Sequence, residues 1–340
     1  MRERIHQLDY LKGIFILLMV LFHLAPVYEN YRVLQTAVYT FHMAAFLIIS
    51  GYLANIEKDV SNFCRGMLRL AIPYVVFQTI HILLVYLLGT TMHSNSSVTS
   101  LTLLGVLDQI FENPSNPYWY LHTLIISTVI YYVVYKVFKL KSMTAFILTG
   151  LILYGLTLFI TRFYWENVIC FLIGVYISKS GKNFLEAIPS SPLALLPLCI
   201  LFSDRENYHT GSFAGITITI LVISFLLFAY GYVGCGTRRL LHYLGSNSLT
   251  ILVFSPIFTV ITKMAIPFFS FDPTAICFAV FALIFVVAGC LSCAWLSDKL
   301  QLSKFLFAKS QFYMNYYWPF HNSWLYDDST VYASCIDNAG

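Results

Sequence analysis

Charge is scarce in this chain. Only 11% of its 340 residues are Asp, Glu, Lys or Arg, against roughly a quarter in a soluble domain. With 59% of the residues hydrophobic, a water-soluble core of this size has no room for the apolar surface, so the bilayer is the natural solvent. The net charge of +4 is then no argument for nucleic-acid binding, and none is expected. Paired metal-ligand motifs are lacking too. Cys290-Leu-Ser-Cys293 is formally a CxxC, but no second pair or nearby histidine accompanies it, so no metal site is expected. Cys170, Cys199 and Cys277 lie in apolar runs and read as small hydrophobes. No small-x-small cleavage site follows the first apolar stretch, Ile14 to Leu24, which therefore reads as a retained span. A convincing internal repeat, the mark of many transporters, is also missing.

What is present is a succession of apolar stretches long enough to be measured against a bilayer core of ~30 Å, or about 20 helical residues. Ten candidates emerge, at 10–28, 36–55, 69–89, 118–138, 143–161, 166–179, 191–203, 213–233, 247–267 and 274–297. The sixth and seventh are short, and Pro189, Pro192 and Pro197 weaken the seventh. Lys and Arg concentrate in cytoplasmic loops. With ten spans and the N-terminus inside, sixteen of the twenty basic residues fall on the inner side, leaving Arg32, Arg162, Arg205 and Lys263 outside. A wrong span count would scramble that split, because every later loop would change sides. The expected fold is an all-α, polytopic transmembrane helical bundle of about ten spans with a cytoplasmic N-terminus. Residues 1–309 form its one transmembrane domain, and 310–340 form an aromatic-rich tail with no assigned role. The outer loop 90–117 lacks Lys and Arg and carries a sequon at Asn95, which matters only in a eukaryotic secretory pathway.

Ionisable residues inside spans are costly and usually face the bundle interior. Asp9, Lys12 and His23 share the first span. Asp9 and Lys12 are three apart and can pair on one face. Lys12 and His23 are eleven apart, three turns plus ~20°, so they share a face about 16 Å apart along the axis. The blander readings are that Lys12 snorkels to the interface and that His23 is a satisfied core histidine. His42 starts the second span from the outer side, at a depth similar to His23. Ser50-Gly51, further along that span, are small and permit close helix packing. Arg65 and Arg69 precede Pro73-Tyr74 at the start of the third span, where forked guanidinium groups suit a phosphate but an ordinary basic flank explains them equally. Trp119 opens the fourth span among aromatic residues, which belt packing explains about as well as acceptor stacking.

These residues resemble the acyltransferase family 3 group of integral-membrane acyltransferases. The resembling pieces are Leu8-Asp9-Tyr-Leu-Lys12-Gly13 with His23, Phe41-His42-Met-Ala-Ala-Phe46 with Ser50-Gly51-Tyr52-Leu53, and Arg69-Leu-Ala-Ile-Pro73-Tyr74. Tyr118-Trp119-Tyr120-Leu121, Phe171-Leu-Ile-Gly174 and Leu244-Gly-Ser-Asn-Ser248-Leu continue the match. Members move an acyl group, usually acetyl, from cytoplasmic acyl-CoA to an extracytoplasmic hydroxyl, typically of a cell-surface glycan or lipid-linked sugar. The resemblance therefore implies a multi-pass protein of the cell (inner or plasma) membrane that contacts lipid and binds no cofactor, acetyl-CoA or another acyl-CoA being the donor substrate. It assigns His23 and His42 to catalysis, and Lys12, Arg65 and Arg69 to acyl-CoA, with Asp9, Ser50, Tyr74 and Trp119 in support. The chemistry suits a neutral imidazole, since a sugar hydroxyl is a poor nucleophile and needs a base titrating near neutrality. Two departures stand out. Arg65 lies four before Arg69 where the family spacing is three, and Phe254-Ser255-Pro256 occupies a stretch where members often carry a histidine. A transporter without transferase activity is the principal rival reading, and a silent membrane scaffold the third.

Overall fold

The computed structural model describes residues 4–89, 102–115, 117–138, 142–309 and 313. The sequon at Asn95, the basic residues Arg2, Lys139 and Lys141, and all of the tail from 310 except Tyr313 lie outside the described residues. Among the described residues there is no strand. The helices are α1 (His6–Phe22), α2 (Ala25–Asn30), α3 (Arg32–Leu53), α4 (Val60–Gly89), α5 (Leu103–Phe111), α6 (Trp119–Phe138), α7 (Ser142–Thr157) and α8 (Trp165–Lys179). They continue with α9 (Phe184–Ala187), α10 (Leu195–Ser203), α11 (Phe213–Ala229), α12 (Cys235–Ser246), α13 (Ser248–Thr262), α14 (Ile276–Lys299) and α15 (Ser303–Leu306).

Four helical segments are long and apolar enough to cross a membrane by length and composition: Arg32–Leu53, Val60–Leu87, Ser248–Phe269 and Ile276–Lys299. The others are shorter. The stretch at 191–203 becomes a 3-10 turn, Pro192–Ala194, followed by the nine residues of α10. At 1.5 Å per residue that is well short of ~30 Å. Pro73 lies inside α4 and Pro256 inside α13 without ending either helix.

The ends of the helices sort into two sets. At one end, Lys179 Nζ approaches Glu57 Oε1 at 3.6 Å and the Tyr132 hydroxyl donates to the Lys58 carbonyl at 3.1 Å. This end, called the basic end below, gathers the start of α1, the α3–α4 turn and the ends of α6 and α8. At the far end, Asn30 Nδ2 and the Tyr31 hydroxyl donate to the carbonyls of Pro273 and Thr274, each at 3.0 Å. There the Arg162 amide also donates to the Glu112 carbonyl at 3.0 Å.

Two helix pairs pack most extensively, α3 with α8 and α1 with α12. Glycine is the cause in both. A Cβ at Gly51 would run into the Phe171 carbonyl, and one at Gly174 into the Ile48 carbonyl. A Cβ at Gly13 would strike the Leu241 carbonyl, and one at Gly245 the Asp9 carbonyl. Small residues that let backbones touch are how helices associate where no hydrophobic force separates protein from lipid. α12 differs from its neighbours in carrying polar and basic residues, of which Arg238 and His242 are buried, and it packs against the start of α1. The Tyr74 hydroxyl (to Ile110), Gln78 Nε2 (to Gln109, 3.1 Å) and His122 Nε2 (to Phe111, 3.0 Å) donate to three consecutive carbonyls of α5. Those carbonyls have no helical partner of their own.

Candidate active site

At the basic end, Asp9 holds the start of α1 together. It is buried, and it accepts from Lys12 Nζ at 2.6 Å and from Arg4 Nε at 2.8 Å. A buried carboxylate needs such partners, and the three-residue spacing supplies one of them within the helix. Lys12 also lines a cleft of about 380 Å³, whose other polar walls include Lys58, Asn55, Asn62 and Ser248. The cleft deepens between apolar walls (Leu70, Leu121, Leu124 and Leu252) toward Ser50, Tyr120 and Phe46. Ser50 Oγ and the Tyr120 hydroxyl share a hydrogen bond of 2.7 Å at that depth.

The far end of α1 is set by proline. Pro26 has no amide to give the Phe22 carbonyl, so α1 stops, His23 caps it, and Leu24 turns extended with ψ 121°. The orphaned Phe22 carbonyl accepts the Tyr39 hydroxyl at 3.0 Å and Gln35 Nε2 at 3.5 Å, both from α3. That contact brings His23 to α3. The Tyr39 ring contacts both imidazoles, 5.7 Å from His23 and 5.2 Å from His42, tilted by about a third of a right angle to each.

The two histidines are held alike. His23 Nδ1 lies 2.6 Å from the Met19 carbonyl and His42 Nδ1 lies 2.8 Å from the Val38 carbonyl, each four residues back along its own helix. A carbonyl only accepts, so Nδ1 carries the proton in both, and Nε2 of the neutral ring carries the lone pair. The buried His42 Nε2 has no hydrogen-bond partner among the described residues. This is the tautomer a general base at Nε2 requires.

Of the other residues singled out from the sequence, Arg69 is half-buried, its Nε without a hydrogen-bond partner among the described residues, and Arg65 is exposed. Both lie outside the lining of the basic-end cleft, whose α4 wall is Asn62, Phe63, Gly66, Met67 and Leu70. Tyr74 is committed to α5, and Trp119 is half-buried at the start of α6, beside Tyr120, which does reach the cleft. Sequence reasoning passed over Tyr39, Gln35, Lys58 and Tyr120. The available signals were Tyr39 one helical turn before His42 and Pro26 four residues after Phe22.

Residues 5–295 match a family model described as an acyltransferase domain, that of the acyltransferase 3 group. The chain belongs to the acyltransferase 3 family. No curated protein and no solved structure matches it. As an acyltransferase 3 member it is a membrane acyltransferase, and the matched span contains both histidines, the Asp9–Lys12 pair and all four close-packing glycines. The motifs around Gly174 and Gly245 prove to be the packing partners of those around Gly51 and Gly13.

Proposed function

We propose that this acyltransferase moves an acetyl or other acyl group from cytoplasmic acyl-CoA to a hydroxyl of an extracytoplasmic glycan or lipid-linked sugar. In this reading it crosses the cell membrane about ten times, with its N-terminus inside. The segregation of the Lys and Arg residues supports that orientation, which makes the basic end cytoplasmic. The observation that carries the reading is the layout of α1. A cation-lined cleft opens at its start and a base-competent imidazole sits at its end, about 16 Å further along the axis.

Lys12 and Lys58 hold the anionic phosphates of the donor at the cleft mouth, with Arg65 and Arg69 adding positive charge nearby. The pantetheine arm lies along the apolar walls toward Ser50, and the thioester approaches the histidines. His23 Nε2 removes the proton from the acceptor hydroxyl. The hydroxyl oxygen bonds to the thioester carbonyl carbon, the carbon–sulfur bond breaks, and the departing thiolate takes the proton back from the imidazolium. Products are the ester and free CoA thiol, and the histidine returns to its starting state. His42 orients His23 through Tyr39, whose ring touches both.

Labelled acetyl-CoA supplied to membranes containing the protein tests this. Label in an alkali-labile ester on surface carbohydrate is expected. An exporter without transferase activity would leave the carbohydrate unlabelled.

A further inference from the structure

A second and larger cleft, of about 770 Å³, opens at the far end between the start of α3 and the turn after α10. It lies within the usual size range of small-molecule sites. Its walls include the rings of Phe41, Phe202 and Tyr208, and its rim carries Glu29, Asn30 and Arg32. Glu29 and Arg32 are both exposed, and neither enters an ion pair among the described residues. The Tyr208 hydroxyl is tied to the Phe202 carbonyl at 2.7 Å, which fixes the two rings relative to each other.

The two clefts nearly meet. Phe46 lines the basic-end cleft and Phe41 the far one. The two are five positions apart, about 7.5 Å along α3. His42 falls in that short partition. A column of rings fills it: Tyr120 to Phe46 at 5.8 Å, Phe46 to Phe15 at 6.2 Å, Phe15 to Phe41 at 6.3 Å and Phe41 to Phe202 at 6.3 Å. The floor of the far cleft includes Val38, whose carbonyl anchors His42 Nδ1.

We infer that the far cleft is the acceptor site and that it takes a sugar ring. A pyranose offers an apolar C–H face and a rim of hydroxyls. Aromatic walls take the face, while a free carboxylate accepts from hydroxyls and a free guanidinium donates to them. This assignment rests on the transferase reading above, since it places donor and acceptor on the two sides of His42, the residue that in that reading orients the base His23.

The test uses full-length protein in lipid nanodiscs, labelled acetyl-CoA, and alkali-de-esterified envelope carbohydrate from the cells that carry this protein. Initial rates are measured against each substrate in turn. Arg32→Ala and Glu29→Gln lie at the exposed rim and leave the core intact, and Ala37→Trp fills the cleft. Loss of one charged hydrogen bond predicts about a tenfold rise in half-saturating carbohydrate for Arg32→Ala. A larger rise is expected for Ala37→Trp, with half-saturating acetyl-CoA within about twofold of wild type. Unshifted carbohydrate saturation in all three variants overturns the inference, as does a shift confined to acetyl-CoA. A wild-type protein that transfers no label overturns the functional reading itself, so the two failures are distinct.

Discussion

The two ends of α1 hold their polar residues by different means. At the basic end, opposite charges compensate one another: Asp9 lies between Lys12 and Arg4, and Lys12 still reaches the cleft. At the far end no charge is involved. The Nδ1 atoms of His23 and His42 each donate to a carbonyl of their own helix, and the Tyr39 ring contacts both imidazoles. The first arrangement retains a cation and suits the holding of an anion. The second leaves two neutral imidazoles with fixed tautomers and suits the movement of a proton. One helix thus carries both functions because Pro26 ends it where the histidine must face α3.

Disrupting the close packing of α1 itself should have the largest effect. Gly245→Leu places a side chain against the Asp9 carbonyl, and overpacking of that kind costs about 1–3 kcal/mol or more. Little monodisperse protein is expected by size-exclusion chromatography, and a lowered melting temperature for what remains. Lys12→Ala breaks the basic end alone. A charge-assisted bond contributes about 1.5–3 kcal/mol, so half-saturating acyl-CoA should rise by about tenfold or more with kcat less affected, as steady-state kinetics would reveal. Tyr39→Leu breaks the far end alone. It removes two ring contacts and the bond to the Phe22 carbonyl, and kcat should fall about tenfold with acyl-CoA saturation unchanged. Tyr39→Phe, which keeps the rings, should recover most of that loss. Ser50→Ala should have the smallest effect, about threefold on acyl-CoA saturation, because it removes one neutral hydrogen bond.

Much of this contrast was legible in the sequence. Asp9, Lys12, His23 and His42 stand out because ionisable residues inside apolar runs have few bland explanations, and the i,i+3 spacing of Asp9 and Lys12 anticipates their pairing. The break after His23 was not read, since hydropathy runs smoothly from 10 to 28 and only Pro26 marks it. Tyr74 looked like part of the site, yet its hydroxyl is spent on α5, a partner 36 residues away that no local pattern identifies. Close packing was read at Gly51, but its partner helix and the contacts of Gly13, Gly174 and Gly245 escaped for the same reason. Gly174 and Gly245 matter through the helix each one touches, and periodicity within a helix says nothing about its neighbour. Arg65 and Arg69 are a matter of helical phase: the cleft wall takes 62, 63, 66, 67 and 70, which leaves Arg65 on another face of α4.

The most direct test of the account is acetyl transfer by purified His23→Ala protein, compared with wild type at saturating acetyl-CoA and the same carbohydrate acceptor. General-base catalysis contributes about 10²–10⁴-fold, and a loss in that range is predicted, with acetyl-CoA binding retained and the protein eluting as wild type. Transfer at the wild-type rate by well-folded His23→Ala protein would contradict the account.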